Sequence, residues 1–263
     1  MISVSTVALN GMAVLDFVEY SAKHGLDGIG IELFYDTLPF YNESSYKKYI
    51  NEFVENGLIG MHCPMSDCEI LAEEGTLLWR YSLDRHKECF ELAAELKSSY
   101  MVLHTNSLRR MEPAEALRKK ELVNERIMLL AEMAGEYGCQ LWVENVGFHR
   151  YNNIVLDLDE YVDLVLSNDN IYSLIDIGHA HVNGWDIPSL IYRIGNRIRG
   201  LHIHDNDGLS DQHLPIYHGN IEWEPVFDAI RSLDKSCERI LEYAPKTPVD
   251  KIVEGIDILR QFL

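Results

Sequence analysis

The chain is short of positive charge. It carries 23 Lys and Arg against 42 Asp and Glu, a net charge of −19 over 263 residues. A field of that sign repels phosphate backbones, so it argues against a broad nucleic-acid surface, though a local basic cleft stays open. The chain has no CxxC pair: Cys63, Cys68, Cys89, Cys139 and Cys237 are scattered and odd in number. That pattern, with no leader ahead of it, fits reduced thiols in a cytoplasm. Cys63 and Cys68 could ligate a metal or lie buried as inert thiols. No apolar run reaches the roughly 18 residues that a membrane span needs. The opening MISVSTVALNG lacks a basic region followed by a long apolar stretch, so no targeting segment is expected. Low-complexity tracts, Gly/Ser or Pro-rich linkers and breaks in composition are also missing. With 47% hydrophobic residues to build a core, a single domain over residues 1–263 is the simplest expectation.

What the chain does have is alternation. Short β-branched or apolar runs at 2–8, 28–34, 58–64, 100–104, 139–145, 171–181, 200–204 and 239–245 read as strands. Between them, helical spacing of apolar residues marks helices at 12–24, 43–56, 77–97, 113–137, 158–167, 187–195, 224–233 and 249–262, several stopped by glycines such as Gly25, Gly57 and Gly138. Strand then helix, repeated about eight times at this length, predicts an α/β fold of the (β/α)8 TIM barrel type. The strands are apolar nearly throughout, as expected when both faces are covered. An open doubly wound sheet is the alternative, weakened because no Gly-rich dinucleotide fingerprint follows the first strand.

The stretch 200–213, GLHIHDNDGLSDQH, concentrates chemistry. Side chains alternate along a strand, so His202 and His204 share one face, and Asp205, Asp207, Asp211 and His213 follow on a loop. Each predicted strand from the third onward ends on or beside a ligand-type residue: His62, His104, Glu144, Asp176, His202 and Glu242. His179 lies three residues beyond Asp176. In a barrel those strand ends converge on one mouth, where active sites are built. Taken singly, each residue has an ordinary alternative: a hydrogen-bonded rim histidine, a carboxylate satisfied by backbone amides, or Asp176 as a helix cap. Their common position is what points to a site. Such a set suits Zn, Mn, Co or Mg as a divalent metal ion.

The other candidates are looser. His24 and His86 fall in predicted helices and read as surface residues. His149 could reach substrate or lie on the rim; His181 and His204 could orient the site or touch substrate; His218 reads as loop structure. Trp185 and Trp223 could wall a pocket, although packing is the ordinary role of Trp. Arg80, Arg85, Arg109, Arg110 and Lys246 are possible phosphate partners or solvated surface charges.

VEN at 143–145, DIGHAH at 176–181, HIHDNDG at 202–208, DQHLP at 211–215 and the late Glu242 together resemble the xylose isomerase-like TIM barrels. That superfamily holds sugar isomerases and epimerases and the endonuclease IV type of abasic-site nuclease. The resemblance to the epimerase branch implies one metal held by Glu144, Asp176, His202 and Glu242, with His179 touching substrate. It implies proton transfer next to a ketose carbonyl through an enediolate, with Glu144 and Glu242 as the acid–base pair on opposite sides of the sugar. Glu32, His204 and Trp185 would complete the contacts with a small sugar or sugar phosphate. Relatives of this kind pair or form tetramers, which implies a homo-oligomer. The endonuclease branch implies three zinc ions, for which His62, His104, His179, Asp211 and His213 would supply the additional ligands. Here the chain departs from that pattern: after His213 it reads LPIYHGNIEW, without the GEG run expected there. A non-catalytic sugar-binding barrel is a further alternative, set against the retention of both Glu144 and Glu242.

Overall fold

Residues 1–9, 19–21, 23, 24, 26, 28–37 and 59–262 are described by a computed structural model. The helix expected at 43–56 with its stop at Gly57, and most of the one at 12–24 with Gly25, lie outside the described residues. Parallel strands β1 (Ile2–Ser5), β2 (Gly30–Phe34), β3 (Ile59–His62), β4 (Met101–His104), β5 (Leu141–Glu144), β6 (Ile171–Asp176), β7 (Ile198–Ile203) and β8 (Glu238–Leu241) close into a barrel in sequence order. β1 pairs with both β2 and β8. The described helices are α1 (Leu77–Glu95), α2 (Pro113–Glu136), α3 (Leu158–Ser167), α4 (Ile177–Val182), α5 (Ile187–Ile194), α6 (Trp223–Arg231) and α7 (Val249–Phe262). None of them is long and apolar enough to cross a membrane.

Period two along the strands sorts the barrel interior into layers. Tyr100, Val102, Trp142, Leu174 and Ile240 form an inner apolar cluster, distinct from the larger core between strands and helices. Tyr100 and Trp142 stack at 3.7 Å between ring centroids. Gly60 and Gly200 make room for them, since a Cβ at either would overlap the Tyr100 or Trp142 ring. Two residues further along the same strands the inward positions turn polar: His62, His104, Glu144, Asp176, His202 and Glu242. Register sets neighbours directly, pairing His104 with Glu144 and Asp176 with His202.

Three local differences from the sequence expectation matter for the site. First, β6 does not run on to residue 181. The Asp176 carboxylate accepts the His179 amide at 2.6 Å, capping α4, so the chain turns helical at Ile177 and His179 stands on that helix. Gly178 is required there, because a Cβ would overlap the buried His204 ring. Second, Glu32 is not at the end of β2 but at its centre, with Phe34 as the last residue. Third, β8 stops at Leu241, one residue before Glu242. Other boundaries differ by a few residues at each end.

Candidate metal centre and active site

The loop after β7 is folded back by paired backbone hydrogen bonds between Asp205 and Leu214, at 2.7 and 2.8 Å. Asp205 itself is structural: its carboxylate accepts the amides of Asn206 and Ile221 and the Trp223 indole N–H at 2.9 Å. Asp207 caps the following turn by accepting the Leu209 and Ser210 amides. The hairpin therefore carries Asp211 and His213 back over the mouth. His213 sits there at φ +49°, uncommon for a side chain of its size, and its carbonyl accepts the Ala244 amide at 2.8 Å.

Five overlapping groups with metal-ligand spacing result among the described residues, and two of them flank the mouth. His62, His104 and Glu144 form one, with the two Nε2 atoms 3.3 and 3.2 Å from Glu144 Oε2. His179, Asp211 and His213 form another, with Nε2 atoms 3.3 and 3.0 Å from Asp211 Oδ2. Between them lies His202, whose Nδ1 is 3.2 Å from Glu242, 3.6 Å from Glu144 and 3.7 Å from Asp176. Glu144 joins the groups, its other oxygen lying 3.2 Å from His179 Nδ1.

The histidines share a design. One ring nitrogen is held from behind and the other faces the mouth. His62 Nδ1 meets the Cys63 carbonyl at 2.9 Å, His213 Nδ1 the Glu242 carbonyl at 2.7 Å, and His179 Nδ1 the Asn145 carbonyl at 3.0 Å. His202 is held by Glu32, 3.0 Å from its Nε2. Such orienting partners fix ring direction and tautomer at metal centres. His202 Nδ1 is buried and has no hydrogen-bond partner, although carboxylates face it. That orphaned nitrogen among buried carboxylates fits a cation between them, because isolated buried charges are costly unless paired or metal-bound. Among the described residues, Glu32, Glu144, Asp176 and Glu242 form ion pairs with histidines alone.

Electrostatics follow from this crowding. Burial opposes charge on His62, but Glu144 overcomes it and raises the imidazole to about 9. His213 reaches about 9 in the same way through Asp211, and His179 and His202 also rise. His104 is the exception, lowered by burial. Burial pushes both glutamates up. On Glu144 the imidazoles of His104 and His202 win and hold it well below the usual carboxylate range, whereas Glu242 stays raised.

The structure brings His62, His104, Glu144, Asp176, His179, His202, Asp211, His213 and Glu242 together as the sequence suggested. It relocates others. Glu32 is fully buried beneath His202, and His204 is fully buried against Asp176 at 3.0 Å and stacked under His213 at 3.9 Å. Both stand behind members of the cluster: for His204 this is the orienting one of its two expected roles, and for Glu32 it differs from the substrate contact that the resemblance implied. Trp223 is likewise core, not pocket wall. Trp185 is half-buried against the core beside Asp157 and stands outside the ligand groups. His86 is buried, its Nδ1–H donating to the Ser82 carbonyl at 2.7 Å, and it lines a cavity of about 240 Å³ that opens beside His104. His24 is exposed, as is His149, which pairs with Asp157, while His181 pairs with Asn220. No cysteine joins a metal-spaced group among the described residues; all five are buried and free. Arg85 is engaged by Glu88 and Asp36, Arg109 by Glu115, and Arg80, Arg110 and Lys246 are exposed, none of them in the cluster.

One organiser had no role in the sequence reading. Asn145 accepts the Asp176 amide at 2.7 Å and donates to the Asp176 carbonyl at 3.0 Å, locking β5 to β6 at the mouth. Its place directly after Glu144 was the available signal.

Comparison with known proteins agrees with this geometry. An uncharacterized protein of Methanocaldococcus jannaschii is 24% identical over 209 residues, covering 78% of this chain and 70% of that protein. Fructoselysine 3-epimerase of Escherichia coli O157:H7 is 25% identical over 136 residues, about half of either chain: 51% of this one and 48% of that one. Among solved structures, a D-tagatose 3-epimerase-like protein superposes with a TM-score of 0.82 at 22% identity, covering 99% of this chain and 96% of that one. The IOLI protein with a binding zinc atom gives 0.77 at 17% identity, covering 99% and 95%. The family model for the xylose isomerase-like TIM barrel matches residues 18–262, and the chain belongs to that family.

Proposed function

We propose that this protein is a divalent-metal-dependent sugar epimerase or isomerase that moves a proton at the carbon next to a ketose carbonyl. The observation that carries this reading is the placement of Glu144 and Glu242, two buried carboxylates 3.6 and 3.2 Å from the same His202 nitrogen. Binding alone needs no such pair, whereas proton removal and return at one carbon needs two groups in reach of it. The names of the epimerase relatives support the same substrate class.

Glu144, Asp176, His202 and Glu242 would hold the metal. A bound divalent ion supplies Lewis acidity that makes the C–H beside a carbonyl removable at neutral pH. One of Glu144 and Glu242 takes that proton and the other returns one to the opposite face, the roles exchanging with reaction direction. His179, which faces Asp211, would contact a sugar hydroxyl. Asn145 and Glu32 keep Asp176 and His202 in position. The site would work on a free small sugar or its phosphate in the cytoplasm.

The test is solvent exchange. Metal-reconstituted protein incubated with a panel of ketoses in deuterium oxide is expected to incorporate deuterium at the carbon next to the carbonyl, with formation of the epimer or isomer. A full panel that shows neither exchange nor a new sugar would sink the reading.

One observation favours a second reading, a three-zinc phosphodiesterase acting on abasic DNA. The flanking groups His62–His104–Glu144 and His179–Asp211–His213 are complete. The −19 charge opposes it. Three zinc ions per chain together with abasic-site cleavage would establish it in place of the first.

A further inference from the structure

At the opposite end of the barrel a cavity of about 450 Å³ opens between the starts of β1, β2 and β8 and the ends of α6 and α7. Its wall is unlike the rest of the molecule. Arg231, Lys235, Arg239 and Arg260 line it, and among the described residues no Asp or Glu does. In a chain with 23 Lys and Arg in all, four at one cavity is a local reversal of sign.

Part of this has a local cause. Arg231 and Arg260 stand in the last turns of α6 and α7, where helix C-termini favour cations. Their carboxylate partners, Asp228 and Asp257, are on their own helices and exposed, so these pairs hold the side chains weakly. Lys235 and Arg239 have no such origin. Lys235 is exposed, and no carboxylate partner binds its side chain among the described residues. Arg239 is 3% exposed; it donates to the Cys237 and Lys235 carbonyls, which fix the guanidinium, while its Nε–H is buried without a partner. Of the nearby acids, Asp234 is spent on the Ser236 amide and Glu238 on the Ser3 hydroxyl. Ile2, Ile29 and Leu233 form an apolar side to the same cavity.

We propose that this cavity binds a small phosphate ester, its phosphoryl group among the three guanidiniums and Lys235, its organic body against Ile2, Ile29 and Leu233. Arginine forks match phosphoryl oxygens in bidentate fashion, and a guanidinium already held in place loses little freedom on binding one. The volume lies within the range of small-molecule sites. The inference is independent of the reaction at the mouth.

The test is calorimetric titration of the protein as purified with phenyl phosphate, using inorganic phosphate and benzoate as comparators. One phenyl phosphate per chain is expected, bound more tightly than either comparator. Arg231→Glu combined with Lys235→Glu, both exposed positions, is expected to weaken it at least about tenfold. Arg260→Gln provides a milder check with the same direction, and circular dichroism verifies that the variants are folded. His213→Ala, at the mouth, should leave the affinity unchanged. The proposal is overturned if about 10 mM phenyl phosphate gives no binding. It is equally overturned if benzoate binds as well, or if binding is lost in His213→Ala and kept in the charge-reversed protein.

Discussion

The two ends of this barrel are built from the same strands and differ in every property that chemistry uses. At the mouth, acidic and imidazole side chains are packed so closely that Glu144, Asp176 and His202 are buried with no lysine or arginine partner among the described residues. At the base the cations gather, and no Asp or Glu among the described residues lines the cavity. Between the ends lies the apolar layer of Tyr100, Val102, Trp142, Leu174 and Ile240. The lesson is a division of labour along each strand. One inward residue supplies packing, and the residue two further on supplies a ligand. β5 shows it in Trp142 and Glu144, β6 in Leu174 and Asp176, and β8 with the residue just past its end in Ile240 and Glu242. Stability and reactivity should therefore separate by depth in the barrel.

Substitutions can break that separation if it is false. The largest effect expected is on turnover: Glu242→Gln or Glu144→Gln should lower the rate by on the order of 10²- to 10⁴-fold. Thermal unfolding should show the fold intact, since losing a buried carboxylate removes a desolvation cost along with its interactions. A Glu242→Gln protein of full activity would contradict the acid–base pair. One layer down the pattern should invert. Tyr100→Ala should cost about 3–5 kcal/mol of stability by denaturant titration. Any folded fraction should still bind metal at the mouth.

His86 sharpens the comparison through pH. Burial is the main cause that lowers this imidazole to about 4. A histidine with a depressed folded pKa contributes stability that is complete above about 6.5 and is lost as pH falls toward 4, roughly 3 kcal/mol in all. His86→Gln should flatten the dependence of melting temperature on pH over that window relative to the parent chain. Parallel curves for the two proteins would show that His86 is not held neutral. The smallest effect expected is at Glu32. Glu32→Gln keeps a hydrogen bond to His202 but removes its charge, so metal affinity should fall by about 10- to 100-fold while the ligands stay in place. An unchanged affinity, measured by competition with a chelator, would leave Glu32 a packing residue.

Much of this was legible in the sequence because strands have period two and barrels bring strand ends together. His62, His104, Glu144, Asp176 and His202 stand at the ends of β3 to β7 or within one residue of them, so topology alone predicted their meeting. What was not legible depended on contacts between distant segments. Asp176 was open to two readings, a strand-end ligand or a helix cap, and the His179 amide on its carboxylate shows that it caps α4 while facing the cluster. Glu32 occupied a position compatible with the rim, and only barrel closure brings it from the centre of β2 to the back of His202. His86 sits on an amphipathic helix whose buried face includes it, and one histidine does not reveal which side it takes. Arg231, Lys235, Arg239 and Arg260 carry no motif in the sequence; closure of β8 against β1 and the positions of α6 and α7 bring them to one cavity.

The central claim is that the mouth is a metal centre and not a cluster of protonated histidines and carboxylates. Elemental analysis of protein purified without added metal or chelator tests it most directly. Between about one and three equivalents of a divalent ion such as Zn or Mn per chain are expected. Protein that contains no metal, and takes none up after incubation with Zn, Mn, Co or Mg, would contradict it.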